Sequence, residues 1–213
     1  MPPNTMRGSS RSSGTGVDAR AAAVSAGAGA VAFVVSYLVT FLLWTQTTLP
    51  DPETFDQAID QAFVQSVRDT VPSWKAAGMT LYNAHFVDLT YSTPSGSSSV
   101  NLIDAAGGGL VAFAMFVPPL VLLVAGFVSV YTTDATVDLP NAVAAGALVL
   151  VGYLLFALVG AFLFGHTESV EFFGFSGQYT LSVPLLWTVV FLGVVYPVVF
   201  GGLGGAGAYL LKD

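Results

Sequence analysis

The sequence predicts an all-α transmembrane bundle of four helices carrying a small extracellular α+β cap of two short helices and one or two β-hairpins. Three observations support this. Only 9% of the residues are charged and 54% are hydrophobic, with a mean hydropathy of +0.73, far from the roughly 25% charged composition of soluble domains. Four runs, residues 21–50, 105–133, 139–167 and 172–211, contain no Asp, Glu, Lys or Arg. Each exceeds the ~20 residues that a helix rising ~1.5 Å per residue needs to cross ~30 Å of hydrocarbon. The one long polar segment between these runs, residues 45–104, reads first with helical and then with strand periodicity. Within lipid every backbone polar group needs an internal partner, so the apolar runs are expected as helices rather than open strands.

Residues 1–20, rich in Ser, Gly, Pro and Thr with scattered Arg, cannot bury enough apolar surface to offset the entropy of ordering and are expected to be a disordered cytoplasmic tail. The first span, 21–44, opens with small residues: Ala22, Ala26 and Ala30 at one four-residue spacing, Ser25 and Gly29 at another. Such a face admits close approach of a second helix. Its apolar run is too long for a signal-peptide core and its small residues lie at the wrong end for cleavage, so it reads as a retained anchor. Trp44 marks the outer interface, where an amphipathic ring is favoured.

The cap, 45–104, begins at Asp51-Pro52-Glu53, which reads as N-cap, first-turn proline and first-turn acid. Phe55, Ile59, Ala62, Phe63 and Val67 then recur at helical spacing, with acids on the opposite, wet face. Pro72 ends that helix, and a second one runs from Ser73 to about Tyr82. From Phe86 to Ser92 the pattern alternates, as in a half-buried strand, and the turn Thr93-Pro94-Ser95-Gly96-Ser97 returns it as a hairpin. The stretch Trp74–Asp88 holds one of the two histidines and one of the three tryptophans. It is expected at the membrane surface, with Trp74, Tyr82 and His85 fixing the cap to the bundle.

The second span, 105–131, starts in Gly107-Gly108-Gly109 and carries Pro118 and Pro119 near its middle. The fourth, 183–210, carries Pro197. Proline lacks the helix donor and clashes with the preceding turn, so these three positions are expected as kinks. A cytoplasmic link, 132–140, leads to the third span, 141–165. The loop 166–182, with Phe172, Phe173 and Phe175 before Ser176-Gly177, has the pattern of a second hairpin. The glycines Gly201, Gly202, Gly204, Gly205 and Gly207 near the end of span 4 require a closely packed neighbour, for which the small-residue face of span 1 is the expected one. Residues 211–213 follow as a cytoplasmic terminus.

Arg7, Arg11, Arg20 and Lys212 fall on one side of this topology and Arg68 and Lys75 on the other, which places both termini of a multi-pass cell-membrane protein in the cytoplasm. The outer parts then hold nine carboxylates against two bases. An acidic outer surface disfavours nucleic acid and suits cations or concentrated salt. The absence of cysteine removes disulfides, thiolate catalysis and thiolate metal sites.

Chemistry has few carriers. His85 with Asp88, and His166 with Glu168 and Glu171, are an imidazole and carboxylate set of the kind zinc or manganese accepts, but no paired-histidine spacing joins them. The bland alternative makes His85 a packed, hydrogen-bonded residue at the membrane interface and His166 a solvated residue at a helix end. No catalytic residue or cofactor is indicated: an intramembrane protease needs a Ser–His pair, paired Asp or a metal motif within the spans. The spans themselves hold Ser36, Tyr37, Thr40, Tyr153, Thr188 and Tyr196 among their polar side chains. Without an intramembrane charge they make a poor ion-coupled carrier. A non-catalytic scaffold or accessory subunit, presenting the acidic cap to a membrane-protein partner or a second copy, fits best. A passive transporter or channel component built on kinked spans 2 and 4 is the alternative, and outer-face divalent metal binding comes third.

The stretch Tyr82-Asn83-Ala84-His85-Phe86-Val87-Asp88, with GAVAFVVSYLVTFLL (Gly29–Leu43) and VPPLVLLVAGF (Val117–Phe127), resembles an uncharacterised haloarchaeal family of multi-span integral membrane proteins, some labelled transporters. The resemblance covers the chain after residue 20. It implies that the acidic outer face is an adaptation to high salt, and it implies no catalytic residues.

Overall fold

Apolar sequence becomes helix first, and the prolines decide which kind. The computed structural model describes residues 19–133, 138–172 and 175–212, with the side chains of 170–176 outside that description. Four helical stretches, Ala19–Gln46, Gly109–Tyr131, Leu139–Phe164 and Leu185–Lys212, are long and apolar enough to cross a membrane. They are called spans 1 to 4 below. Of the predicted tail and the cytoplasmic link, residues 1–18 and 134–137 lie outside the described residues, as does Asp213.

Span 1 is a single helix, α1 (Ala19–Gln46). The cap follows with α2 (Phe55–Thr70), α3 (Ser73–Asn83), strands β1 (Leu89–Thr93) and β2 (Gly96–Val100), and the single turn α4 (Leu102–Ala105). The N-terminus of α2 corrects the expected Asp51 cap. Thr54 takes that position, its hydroxyl accepting from the Gln57 amide at 3.2 Å, while the Gln57 side chain accepts from the backbone of Glu53 at 2.8 Å and Thr54 at 3.3 Å. The Thr-x-x-Gln box satisfies several orphan donors at once, which a lone Asp cap cannot do. The buried side of α2 is the expected one only in part: Val67 is buried and Phe63 packs edge-on to Tyr91 at 5.6 Å, but Gln61 and Val64 join them, whereas Phe55 is 80% and Ile59 53% exposed.

Span 2 opens after Gly107, Gly108 and Gly109, all at positive φ (72°, 92° and 73°), a turn that side chains with a Cβ would resist. It runs as a 3₁₀ stretch, Gly109–Phe116, and then as α5 (Val117–Tyr131). Pro118 and Pro119 sit in the first turn of α5, where a missing donor has no partner to lose. Span 3 divides at Leu148 into α6 (Leu139–Ala147) and α7 (Val149–Phe164). Span 4 starts with one turn, α8 (Leu185–Trp187), continues as π-helical stretches Thr188–Val195 and Pro197–Gly201, and ends as α9 (Gly202–Lys212). At all three prolines flagged as kinks, the hydrogen-bond ladder changes type beside the ring.

Two hairpins, β1–β2 and β3 (His166–Phe172)–β4 (Phe175–Ser182), join into one antiparallel sheet of order β2-β1-β4-β3. Thr90 opposite Ser182 and Tyr91 opposite Leu181 set the junction. Leu89 and Leu181 turn inward and are fully buried, so the strand periodicity points one face at the bundle.

Glycine determines which helices touch. Gly152 of α7 lies against the Ala26 carbonyl and the Ala30 amide of α1, and Gly29 of α1 lies against Val149. Gly204 meets Leu123 and Phe127 of α5, and Gly205 meets Ala142 and Gly146 of α6. The expected pairing of span 4's glycines with span 1 is therefore replaced. Span 1's small face takes α7, and span 4's takes α5 and α6. Backbone-to-backbone contact needs both surfaces to lack bulk, and Gly126, Gly146 and Gly152 supply the matching surfaces.

Candidate functional site

Helix α3 does not lie across the end of the bundle; it enters it. Ala76 to Asn83 are all buried, and the contacts follow one another in depth. At the cap end the Lys75 ammonium donates to the Gly165 carbonyl at 2.7 Å, and the Trp74 ring stands edge-on to Phe164 at 6.1 Å. The Tyr37 hydroxyl of α1 donates to the Trp74 carbonyl at 3.1 Å, and its ring stacks on Phe164 at 5.4 Å. One turn further, Gly78 lies flat against the Phe164 ring, where a Cβ would collide with it. The Tyr82 hydroxyl then donates to the Ala157 carbonyl in the middle of α7.

His85 ends this descent. Its Nδ1 is 2.7 Å from the Leu81 carbonyl and its Nε2 2.9 Å from the Tyr153 hydroxyl. A carbonyl only accepts, so Nδ1 carries the proton and Nε2 is the acceptor for Tyr153 in the neutral ring. The Tyr196 ring of span 4 packs at 4.7 Å and that of Tyr153 at 5.7 Å. His85 is fully buried, and among the described residues no carboxylate pairs with it: the one ion pair there is His166 with Glu168. An imidazolium here would be an uncompensated buried charge, so the ring is neutral. From Gly165 back to Tyr153, at ~1.5 Å per residue, is about 18 Å, which puts His85 near the middle of span 3.

The turn that frees the chain again is built by main-chain bonds. Phe86 donates to the Asn83 carbonyl at 2.9 Å and Val87 to the Tyr82 carbonyl at 3.1 Å, the paired closure of a helix end that normally uses glycine. Phe86 holds that place at φ 59°, the one non-glycine positive φ among the described residues. Asn83 ties the turn to the following element, its amide donating to the Val87 carbonyl at 3.0 Å and its oxygen accepting from the Leu102 amide at 2.9 Å.

The five residues considered as metal ligands fall into separate places. Both nitrogens of His85 are used within the bundle. Asp88 accepts from Asn101 at 2.9 Å and Ser99 at 3.5 Å on the outer face of the first hairpin. His166 Nε2 is 3.2 Å from a Glu168 oxygen on β3, an ion-pair distance without hydrogen-bond geometry. The Glu171 side chain lies outside the described residues, as do those of Phe172, Phe173 and Phe175. β4 separates β1 from β3, a backbone gap of about 10 Å at two strand spacings. Among the described residues no three His, Asp or Glu side chains come together.

Sequence reasoning singled out Trp74, Tyr82 and His85 but missed what receives them: Phe164, Ala157, Tyr153 and Tyr196. A signal was present, because a tyrosine inside an apolar span needs a partner for its hydroxyl, and Tyr153 and Tyr196 were left without one. A second tie holds α2 to the end of α1. The Arg68 guanidinium donates to the Thr47 carbonyl at 2.8 Å and lies 5.1 Å over the Trp44 ring, and its burial pulls its pKa below the ordinary arginine value.

No curated protein and no solved structure matches this chain. Residues 5–212 match the model of a family of unknown function, DUF7978, and the chain belongs to that family.

Proposed function

We propose that the chain is a non-catalytic scaffold or accessory subunit of the cell membrane. In this reading the four spans sit in the lipid bilayer, both termini are cytoplasmic, and the acidic cap faces outward to receive a protein partner or a second copy. The observation that carries the reading is the face of α2 that none of the described residues covers. Phe55 and Ile59, one turn apart, are 80% and 53% exposed, and the exposed Asp51, Glu53, Asp56 and Asp60 flank them in the sequence. Apolar side chains ringed by charge are the anatomy of a docking surface, and a partner with a basic rim is its electrostatic complement. The bundle below supports a rigid pedestal. Its helices close by backbone contact at Gly126, Gly152 and Gly204, and the buried His85 is committed to internal bonds.

The test is a photoreactive residue at position 55 or 59 in native membranes. One discrete adduct, lost when Ile59 is changed to Asp, is the expected result. The same smear of products as from an exposed control position on β2 would end the proposal. A passive carrier or channel component is the second reading. The π-helical stretches around Pro197 favour it, since such local ladders often accompany function. Solute flux through vesicles containing the protein, above that of empty vesicles, would select it.

A further inference from the structure

Beside the exit of α3 lies a cavity of about 400 Å³, lined by Phe86, Asp88, Thr90, Ser99, Trp187 and Phe191. It has two unlike walls. Asp88 and Thr90 alternate with the buried Val87 and Leu89, so they point to the opposite side of β1, and Ser99 stands across from Thr90 in the register. This polar wall is anchored, because Asn101 and Ser99 hold the two Asp88 oxygens. The other wall is aromatic. Trp187 and Phe191, 5.8 Å apart, come from the first turns of span 4, and Phe86 is turned outward by its left-handed backbone. Phe86 is 60% and Trp187 51% exposed, so both rings keep surface free at the cavity. Beyond them the flank of span 4, with Val195 40% and Val199 46% exposed, continues the apolar surface away from the carboxylate.

A fixed carboxylate facing aromatic rings across a cavity of ligand size selects an organic cation. The carboxylate supplies charge, and the ring faces attract an ammonium that has shed part of its water. The apolar flank of span 4 selects for a chain attached to that cation. We propose that this cavity binds the ammonium head group of a membrane lipid, with the ammonium between Asp88 and Trp187 and the acyl chains along Phe191 and Val195. The proposal does not depend on the docking role of α2.

The full-length protein is reconstituted in vesicles of equimolar phosphatidylglycerol and phosphatidylethanolamine, extracted in a non-ionic detergent, and its co-purified lipids are measured by mass spectrometry. Phosphatidylethanolamine is expected to be enriched about fivefold over the vesicle ratio, the scale of one solvent-exposed cation–aromatic contact. Asp88→Asn keeps a carbonyl acceptor for Asn101 and is expected to return the ratio to that of the vesicles. Trp187→Leu, at an exposed position, is expected to reduce the enrichment at least twofold, and it serves as the deciding variant should Asp88→Asn fail to fold. Lipid retained through a wash with tetramethylammonium, equimolar to the lipid, supports a site that reads head group and chain together. Complete release by that wash, no enrichment in the wild type, or enrichment undiminished in the folded variants would overturn the proposal.

Discussion

The bond between His85 and Tyr153 makes a sharp quantitative test of how α3 is held. Tyr153→Phe removes the hydroxyl 2.9 Å from Nε2 and leaves a fully buried ring nitrogen without a partner. The desolvation penalty of such a group is about 1–3 kcal/mol. His85→Leu orphans the Tyr153 hydroxyl and also the Leu81 carbonyl that Nδ1 serves, so it is expected to cost more than Tyr153→Phe. The double variant replaces both partners of the Nε2 bond by apolar groups, and it is expected to cost less than the two singles together. Measured couplings between polar pairs in membrane helices average about 0.6 and reach about 1.7 kcal/mol. Complete burial of both groups puts this pair near the upper end, about 1.5 kcal/mol. Reversible unfolding in mixed micelles, followed through tryptophan fluorescence, gives the four free energies of the cycle. Additivity within about 0.3 kcal/mol, the agreement expected of independent sites, would refute the claim that this bond pins the deep end of α3.

Two further predictions concern span 1 and its neighbour. Ser36 and Thr40 are fully buried on α1, and among the described residues their hydroxyls have no hydrogen-bond partner; Ser36 faces the Tyr153 hydroxyl without hydrogen-bond geometry. Since an unpaired buried hydroxyl costs about 1–3 kcal/mol, Thr40→Val, which keeps the shape, is expected to raise stability by about 1 kcal/mol in the same unfolding assay. A loss of stability would reveal a partner for that hydroxyl. Gly152→Ala would drive a Cβ into the Ala26 carbonyl and is expected to cost about 1–3 kcal/mol as the α1–α7 contact opens. Gly27→Ala meets open space and is expected to gain about 0.5–1 kcal/mol from helix propensity. Equal effects at the two positions would contradict the assignment of the contact face.

Long-range apolar runs made the four helices legible, because their length and lack of charge depend on nothing but local sequence. The strands were legible for the same reason: Val87, Leu89 and Tyr91 alternate with Asp88 and Thr90. Pairings between distant elements were not. Periodicity marked the glycine faces of spans 1 and 4, but it carries no information on which partner has a matching surface, and so the pairing of those faces went wrong. The outward turn of Phe55 and Ile59 was hidden for a related reason. Their spacing is helical, and only the placement of α4 and α1 against the other side of α2 decides that Gln61, Val64 and Val67 are the buried set. At Thr54 the capping box was readable in Thr-Phe-Asp-Gln, and the stronger-looking Asp-Pro-Glu concealed it.

The depth of α3 has a consequence for how polar residues in such a chain are counted. An inventory confined to the four spans finds hydroxyls and no ionisable imidazole, and on that basis it treats the bundle as chemically quiet. The fold adds His85 from a segment that sequence polarity assigned to the surface. That insertion is possible because Ala76, Ala77, Gly78 and Ala84 are small enough to pass between α1 and α7. It is stable because each polar group carried inward meets a partner at its own level: Lys75 at Gly165, Tyr82 at Ala157, His85 at Tyr153. The same stretch that brings the imidazole inside turns Phe86 and Asp88 out on the other side of one tight turn. The deep anchor and the carboxylate-bearing cavity are thereby fixed to a single backbone, and a change that loosens His85 is expected to move the Asp88 wall with it.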